Sequence, residues 1–212
     1  MARNKYPEKT IAKILDVSLH LFSEKGYEKT TIQDIVNALG MSKGAIYHHF
    51  KSKEEIAIAI CSTFYGGYDF SVLLKDPTTN GLEKIQEILR LQLSDEPKKD
   101  IDILSLKLMN DPLLFVMQAK ENDDSTNAIL PFIELGIKDS SIDVQDAKST
   151  ASLLSFLMNI WIYSPIASKK VEDMSAKVHY LRKLCERMGI PILNDELETL
   201  MITYYTHIIL SS

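Results

Sequence analysis

Ser42-Lys43-Gly44-Ala45-Ile46-Tyr47-His48-His49-Phe50 is the stretch on whose reading the fold of this chain turns. Ser42 can cap a helix by accepting N–H bonds from its first turn. Gly44 falls just inside, where glycine costs about 1 kcal/mol relative to alanine. Its missing side chain lets another molecule approach the backbone closely. Lys43, Tyr47, His48 and His49 can all hydrogen-bond to phosphates or base edges. Ile46 and Phe50, four apart, share the opposite face and can anchor the segment to a core. That is the build of a short recognition helix. A surface turn whose glycine merely permits tight helix packing fits the same nine residues, and the surroundings must separate the two.

On the N-terminal side, Ile11, Ile14, Leu15, Leu21 and Phe22 follow helical spacing from an N-cap at Thr10, and Gly26 ends the run. Thr30 and Thr31 offer N-cap hydroxyls to a short helix with Ile32, Ile35, Val36 and Leu39 facing inward, which Gly40 breaks. Two short helices about a glycine turn make a helix-turn-helix unit, and the first helix is the third wall of its core. Beyond Phe50, Ser52 caps a further helix with Glu54 and Glu55 in its first turn. Its stripe runs Ile56, Ile60 and Phe64 toward Tyr68, a connector over 52–75. The Gly66-Gly67 pair inside it reads either as close packing or as a flexible joint between modules.

From Pro77 to Gly81 the chain reads as a loop. Helical stripes follow at 82–94, at 101–121 with a break near Asp111-Pro112, and at 127–138 with Pro131 disturbing its start. Others cover 145–164, 171–188 and 194–210. No period-two alternation occurs, so the expected fold is all-α, with a helix-turn-helix domain over 1–53 and a larger helical domain over 76–212. In 145–164, Ala147, Ala151 and Ser155 form a small-residue row beside Thr150, Leu154, Leu157 and Trp161. A helix apolar over so much of its circumference needs partners on more than one side. It can pair with the C-terminal helix in a four-helix homodimer bundle, or be an interior helix of one subunit.

Charge is split along the chain. Residues 1–53 hold nine Lys and Arg against five Asp and Glu, and the remainder fifteen against twenty-four, within an overall charge of −5. A basic module joined to an acidic body suits an anionic partner at one end. The two cysteines, Cys61 and Cys185, are far apart and fit free thiols in a reducing cytoplasm. The longest apolar stretch, Leu153 to Tyr163, is far short of the roughly 20 residues a membrane span needs.

Thr10 to Phe50, continued to Glu55, resembles the DNA-binding domain of the TetR/AcrR family. The resemblance rests on Ile14-Leu15-Asp16, Leu21-Phe22, Lys25-Gly26-Tyr27, Thr31-Ile32-Asp34-Ile35, Ala38 to Ser42, Lys43 to Phe50, and Lys53. It implies an all-α homodimer that represses transcription from a palindromic operator and is released by a small hydrophobic molecule. By position it implies that Ser42, Lys43, Gly44, Tyr47 and His48 meet the major groove, and that His49 touches phosphate. Thr31 and Lys53 would clamp the backbone. Ser18 departs from the family, which usually carries alanine there. The recognition segment has no Asn, Gln or Arg for bidentate base reading, so Lys43, the hydroxyl and imidazole contacts and DNA shape would carry specificity.

For an effector pocket the candidate linings are Phe64, Tyr68, Met109, Phe115, Met117, Phe132, Met158, Trp161 and Tyr180, each equally suited to plain core. A C-terminal domain that docks a protein partner is the alternative. No G-x-S-x-G, H-E-x-x-H, P-loop or dinucleotide fingerprint occurs, so an enzyme is not expected, nor a cofactor. His48 and His49 point about 100° apart on a helix and cannot share a metal. His20, His179 and His207 stand alone, so no metal site is expected.

Overall fold

A computed structural model of the chain describes residues 7–65, 67–107, 112–163 and 171–211, without the side chains of 7, 65, 107, 112–121 and 171. The described residues form α-helices, one π-helical turn and no strand, in the order α1 (Pro7–Lys25), α2 (Ile32–Leu39), α3 (Lys43–Tyr47), α4 (Lys53–Tyr65), α5 (Ser71–Leu74), α6 (Gly81–Ser94), α7 (Glu96–Lys107), α8 (Pro112–Lys138), α9 (Ala147–Phe156), the π-turn Leu157–Trp161, α10 (Val171–Arg187) and α11 (Asp195–Ser211). The all-α expectation holds. Met109, the side chains of Phe115 and Met117, Gly66 and Asp111 lie outside the described residues.

The chain divides into two compact units. One gathers Met1–Gly67 with Asp100–Phe115, the other Tyr68–Lys99 with Val116–Ser212.

In the first unit α1 packs on α2 and α4, and α2 on α3. Ile14, Ile35, Ile46 and Ile56, one from each helix, are wholly buried. Burial of that completeness stabilises by about 1.5–3 kcal/mol per side chain. The helix starts obey local rules with one exception. Thr31 caps α2, Ser42 caps α3, and Ser52 accepts from the Glu55 N–H at 3.2 Å. Thr10 is not a cap, because α1 already begins at Pro7, whose fixed φ and missing N–H suit a first helical position. Thr30 is buried and works on the preceding helix, its hydroxyl donating to the carbonyls of Gly26 at 2.8 Å and Leu21 at 3.2 Å. From α7, Ser105 donates to Cys61 Sγ at 3.3 Å, tying residue 105 to α4.

The second unit is built on α11, which packs on both α6 and α10, with α9 continued by the π-turn. Asn80 caps α6 in a reciprocal pair with Glu83. Gly81 lies where a Cβ would come within 2.2 Å of the Gly136 backbone, so these two glycines let α6 and α8 touch. The expected start of a helix at 127 is wrong, since α8 runs unbroken through Pro131. Pro131 frees the Asn127 carbonyl from its helical donor, but both residues are exposed and water can satisfy that carbonyl. The expected stripes of α10 and α11 are buried at Met174, Val178, Leu181 and Cys185, and at Leu197, Met201, Tyr204 and Ile208. Both cysteines are buried, and burial pushes the Cys185 thiol up to about 12.

Between α10 and α11 runs an ionic seam. Arg182 reaches Asp195 and Glu198, each at 2.6 Å, and Glu186 at 3.0 Å, while His179 Nδ1 lies 3.0 Å from Glu198. His179 is therefore not isolated, and its partner lies nineteen residues away. Among the described residues no cluster of His, Cys, Asp or Glu could hold a metal, and no helix is long and apolar enough to cross a membrane.

Candidate nucleic-acid interface

The α3 segment separates its faces cleanly. Ile46 and Phe50 are buried, while Ser42, Lys43, Gly44, Tyr47 and His48 are exposed together and His49 is half-buried. The helix is shorter than the motif suggests, spanning only Lys43–Tyr47 with His48 as its C-cap. His49 and Phe50 instead close a turn by donating to the Ile46 carbonyl at 2.9 and 3.0 Å. Nothing lies within 4 Å of where a Gly44 Cβ would stand. The tight-packing reading of this glycine therefore fails within the chain, and the flat, open backbone remains available from outside.

The exposed groups are donors free of acidic neighbours on their own segment. Ser42 Oγ accepts from the Ala45 N–H at 3.2 Å, which leaves its O–H to donate outward. The Lys43 ammonium stands 5.8 Å from the centre of the Tyr47 ring, and Tyr47 is 44% exposed, a costly display for an aromatic side chain without a use. The His48 and His49 rings meet edge to face at 5.1 Å.

Thr31 and Lys53 are more occupied than their positions suggest. Thr31 accepts from the Asp34 N–H at 3.1 Å, and both its backbone N–H, at 2.8 Å, and its hydroxyl, at 2.7 Å, donate to the Asp34 carboxylate. Lys25 approaches the same carboxylate at 2.8 Å. The Lys25 hydrogen bond, then those from Thr31, hold the Asp34 carboxyl well below the usual carboxylate range. Lys25 is thus part of the site's support, whereas in the sequence it counted only as one residue of the Lys25-Gly26-Tyr27 resemblance.

Lys53 Nζ donates to the Tyr27 carbonyl at 2.8 Å and sits 4.1 Å above the Tyr27 ring. The Tyr27 hydroxyl in turn donates to Glu54 at 3.2 Å. The start of α4 is so fastened to the turn between α1 and α2. An ammonium has three donors, so the bond to Tyr27 leaves others for a phosphate.

The residues named for a pocket scatter. Phe132 is buried in the second unit, whereas Met158 and Trp161 are half-buried and belong to the π-turn. Phe64 is half-buried in the first unit. Tyr68 lies past the end of α4, its hydroxyl donating to Asp95 at 2.5 Å. Tyr180 is 61% exposed, 6.4 Å from Trp161 ring to ring. Lys177, which hydropathy gave no reason to single out, stands beside Trp161.

Residues 14–60 match the family model described as bacterial regulatory proteins, tetR family. The transcriptional repressor KstR2 of Rhodococcus jostii (strain RHA1) is 26% identical over 189 residues, covering 84% of this chain and 90% of that protein. The uncharacterized regulator YerO of Bacillus subtilis (strain 168) is 35% identical over 89 residues, 42% of this chain but only 26% of YerO's length. Among solved structures, Salmonella enterica GusR superposes with a TM-score of 0.60 at 17% identity, over 98% of this chain and 99% of that one, a likeness of fold.

Proposed function

This chain belongs to the TetR family of bacterial transcriptional regulators, DNA-binding proteins that are not enzymes, and we propose that it is a homodimeric repressor released from a palindromic operator by a small hydrophobic molecule. The observation that carries the DNA-binding half is the exposed row of Ser42, Lys43, Gly44, Tyr47 and His48, held from behind by buried Ile46 and Phe50. Two such rows, one per subunit, would enter successive major grooves about 34–36 Å apart. His49, Lys53 and the Thr31 end of α2 would contact phosphates around them. In this reading residues 1–53 are the DNA-binding domain, 52–75 the connector and 76–212 the regulatory domain, acting in the cytoplasm.

Pairing would run through the helices near 145–164 and 194–210. Leu153 and Phe156 are exposed on α9, and Leu210 on α11, where isolated subunits would leave them in water. The effector would sit in the second unit near Phe132, Met158 and Trp161. The test is binding of the full-length protein to DNA from around its own gene, read by gel shift and footprinting. Wild type should protect a two-fold symmetric site, and Tyr47→Ala should bind it at least about tenfold more weakly. Equal binding by the variant would overturn the site assignment. Operator release by a purified protein and by no small molecule would favour the protein-partner alternative.

A further inference from the structure

Among the described residues of the second unit two lysines are buried, and they are treated oppositely. Lys84 is 2% exposed and its ammonium is held by three acceptors, the Asp76 carbonyl at 2.6 Å, the Thr79 carbonyl at 2.8 Å and the Thr79 hydroxyl at 2.7 Å. Lys177, on α10, is 9% exposed and its Nζ, screened from solvent, has no hydrogen-bond partner among the described residues. Its ammonium instead faces the Trp161 ring, 4.5 Å to the ring centre. A cation–π contact recovers only part of what an ion loses on leaving water.

Nearby carboxylates do not supply the remainder. Asp173, one turn back on α10, is exposed and forms no ion pair with it. On the facing helix Glu198 is bound by Arg182 and His179, Asp195 by Arg182, and Glu196 by Arg90. Burial lowers the Lys177 pKa with no acid opposing it. The indole belongs to the π-turn, whose extra residue per turn displaces side chains from the α9 row; its Asn159 donates to Ser125 of α8 at 3.0 Å. Leu157 and Ile162, flanking the turn in sequence, are buried and Met158 is half-buried, so the turn that carries the indole is itself apolar.

We propose that Lys177 and Trp161 form the headgroup site for an amphipathic organic anion, a carboxylate with an apolar tail, the carboxylate bonding Nζ and the tail lying along the π-turn. This rests on the effector-responsive reading above and gives that effector a charge. Trp161 is the one tryptophan of the chain, so its emission reports the site directly.

The experiment titrates the full-length protein with straight-chain carboxylates of about six to sixteen carbons, with naphthoate, and with the matching alcohols. Acids should change Trp161 emission and bind about tenfold or more tightly than their alcohols. Lys177→Met keeps the apolar stem and loses the charge, so the preference should fall to within about twofold, while Lys177→Arg should retain it. Equal binding of acids and alcohols by wild type, survival of the preference in Lys177→Met, or no emission change with any acid overturns the assignment. So does sedimentation in which Lys177→Met dissociates the dimer without altering acid preference, which would make Lys177 a subunit contact. Alcohols that release operator DNA when acids do not would sink the anion site and leave the effector reading intact. Lys177-dependent acid binding that leaves operator affinity unchanged would do the reverse.

Discussion

Replacing Lys53 with methionine keeps the length of its four-carbon stem and removes its ammonium. The lost interactions are the 2.8 Å bond to the Tyr27 carbonyl and the 4.1 Å contact with the Tyr27 ring. A hydrogen bond from a charged donor contributes about 1.5–3 kcal/mol and an exposed cation–π contact about 0.5–1. Lys53 is half-exposed, so solvent screening discounts both, and a net loss of about 1–2 kcal/mol is expected. For a chain of this length each kcal/mol moves the midpoint by about 2–4 °C, giving a fall of about 2–8 °C. A pure phosphate clamp would behave as an ordinary surface residue and shift stability by less than about 0.5 kcal/mol. The second measurement is operator affinity against salt. Losing one phosphate contact in each subunit of a dimer should flatten the slope of log K against log salt by about 1.8. An unchanged melting curve refutes the strut. A destabilised protein whose salt slope matches wild type refutes the clamp, leaving Lys53 as a fastening for α4 alone.

Gly44→Ala should separate folding from DNA binding. An added Cβ meets nothing within the chain, so stability should rise by about 0.5–1 kcal/mol while operator affinity falls at least about tenfold. Unchanged affinity would mean that no DNA atom approaches that backbone. Ser18 is wholly buried and its hydroxyl has no partner, so Ser18→Ala should stabilise by about 1 kcal/mol in urea denaturation, and a loss would show that the hydroxyl is bonded. The Asp34 carboxyl is depressed in the folded state, chiefly by Lys25 and then by Thr31. Its contribution is present above the ordinary carboxylate value of about 4 and drains away as pH falls below it. The stability gap between wild type and Asp34→Asn should narrow on acidification, and a gap independent of pH between about 2 and 7 would refute the pairing.

What could be read in the sequence was local. Caps at Thr31, Ser42 and Ser52 act over three residues, and the left-handed glycines at 26 and 40 act on their own backbone. Helical stripes repeat within a turn, so the all-α class and the buried faces of α2, α10 and α11 were legible, as was the exposed row of α3. Local rules misled at Thr10 and Pro131, because a helix start and a tolerated proline depend on Pro7 and on which face meets water. Tertiary structure alone decided the pairs remote in sequence. Lys53 bonds a carbonyl 26 residues back, Ser105 reaches Cys61, and residues 100–115 join the first unit. It also gave Lys84 three acceptors and Lys177 an indole face, though both are lysines on amphipathic helices. Periodicity tells which way a side chain points, and only packing fixes what it meets there.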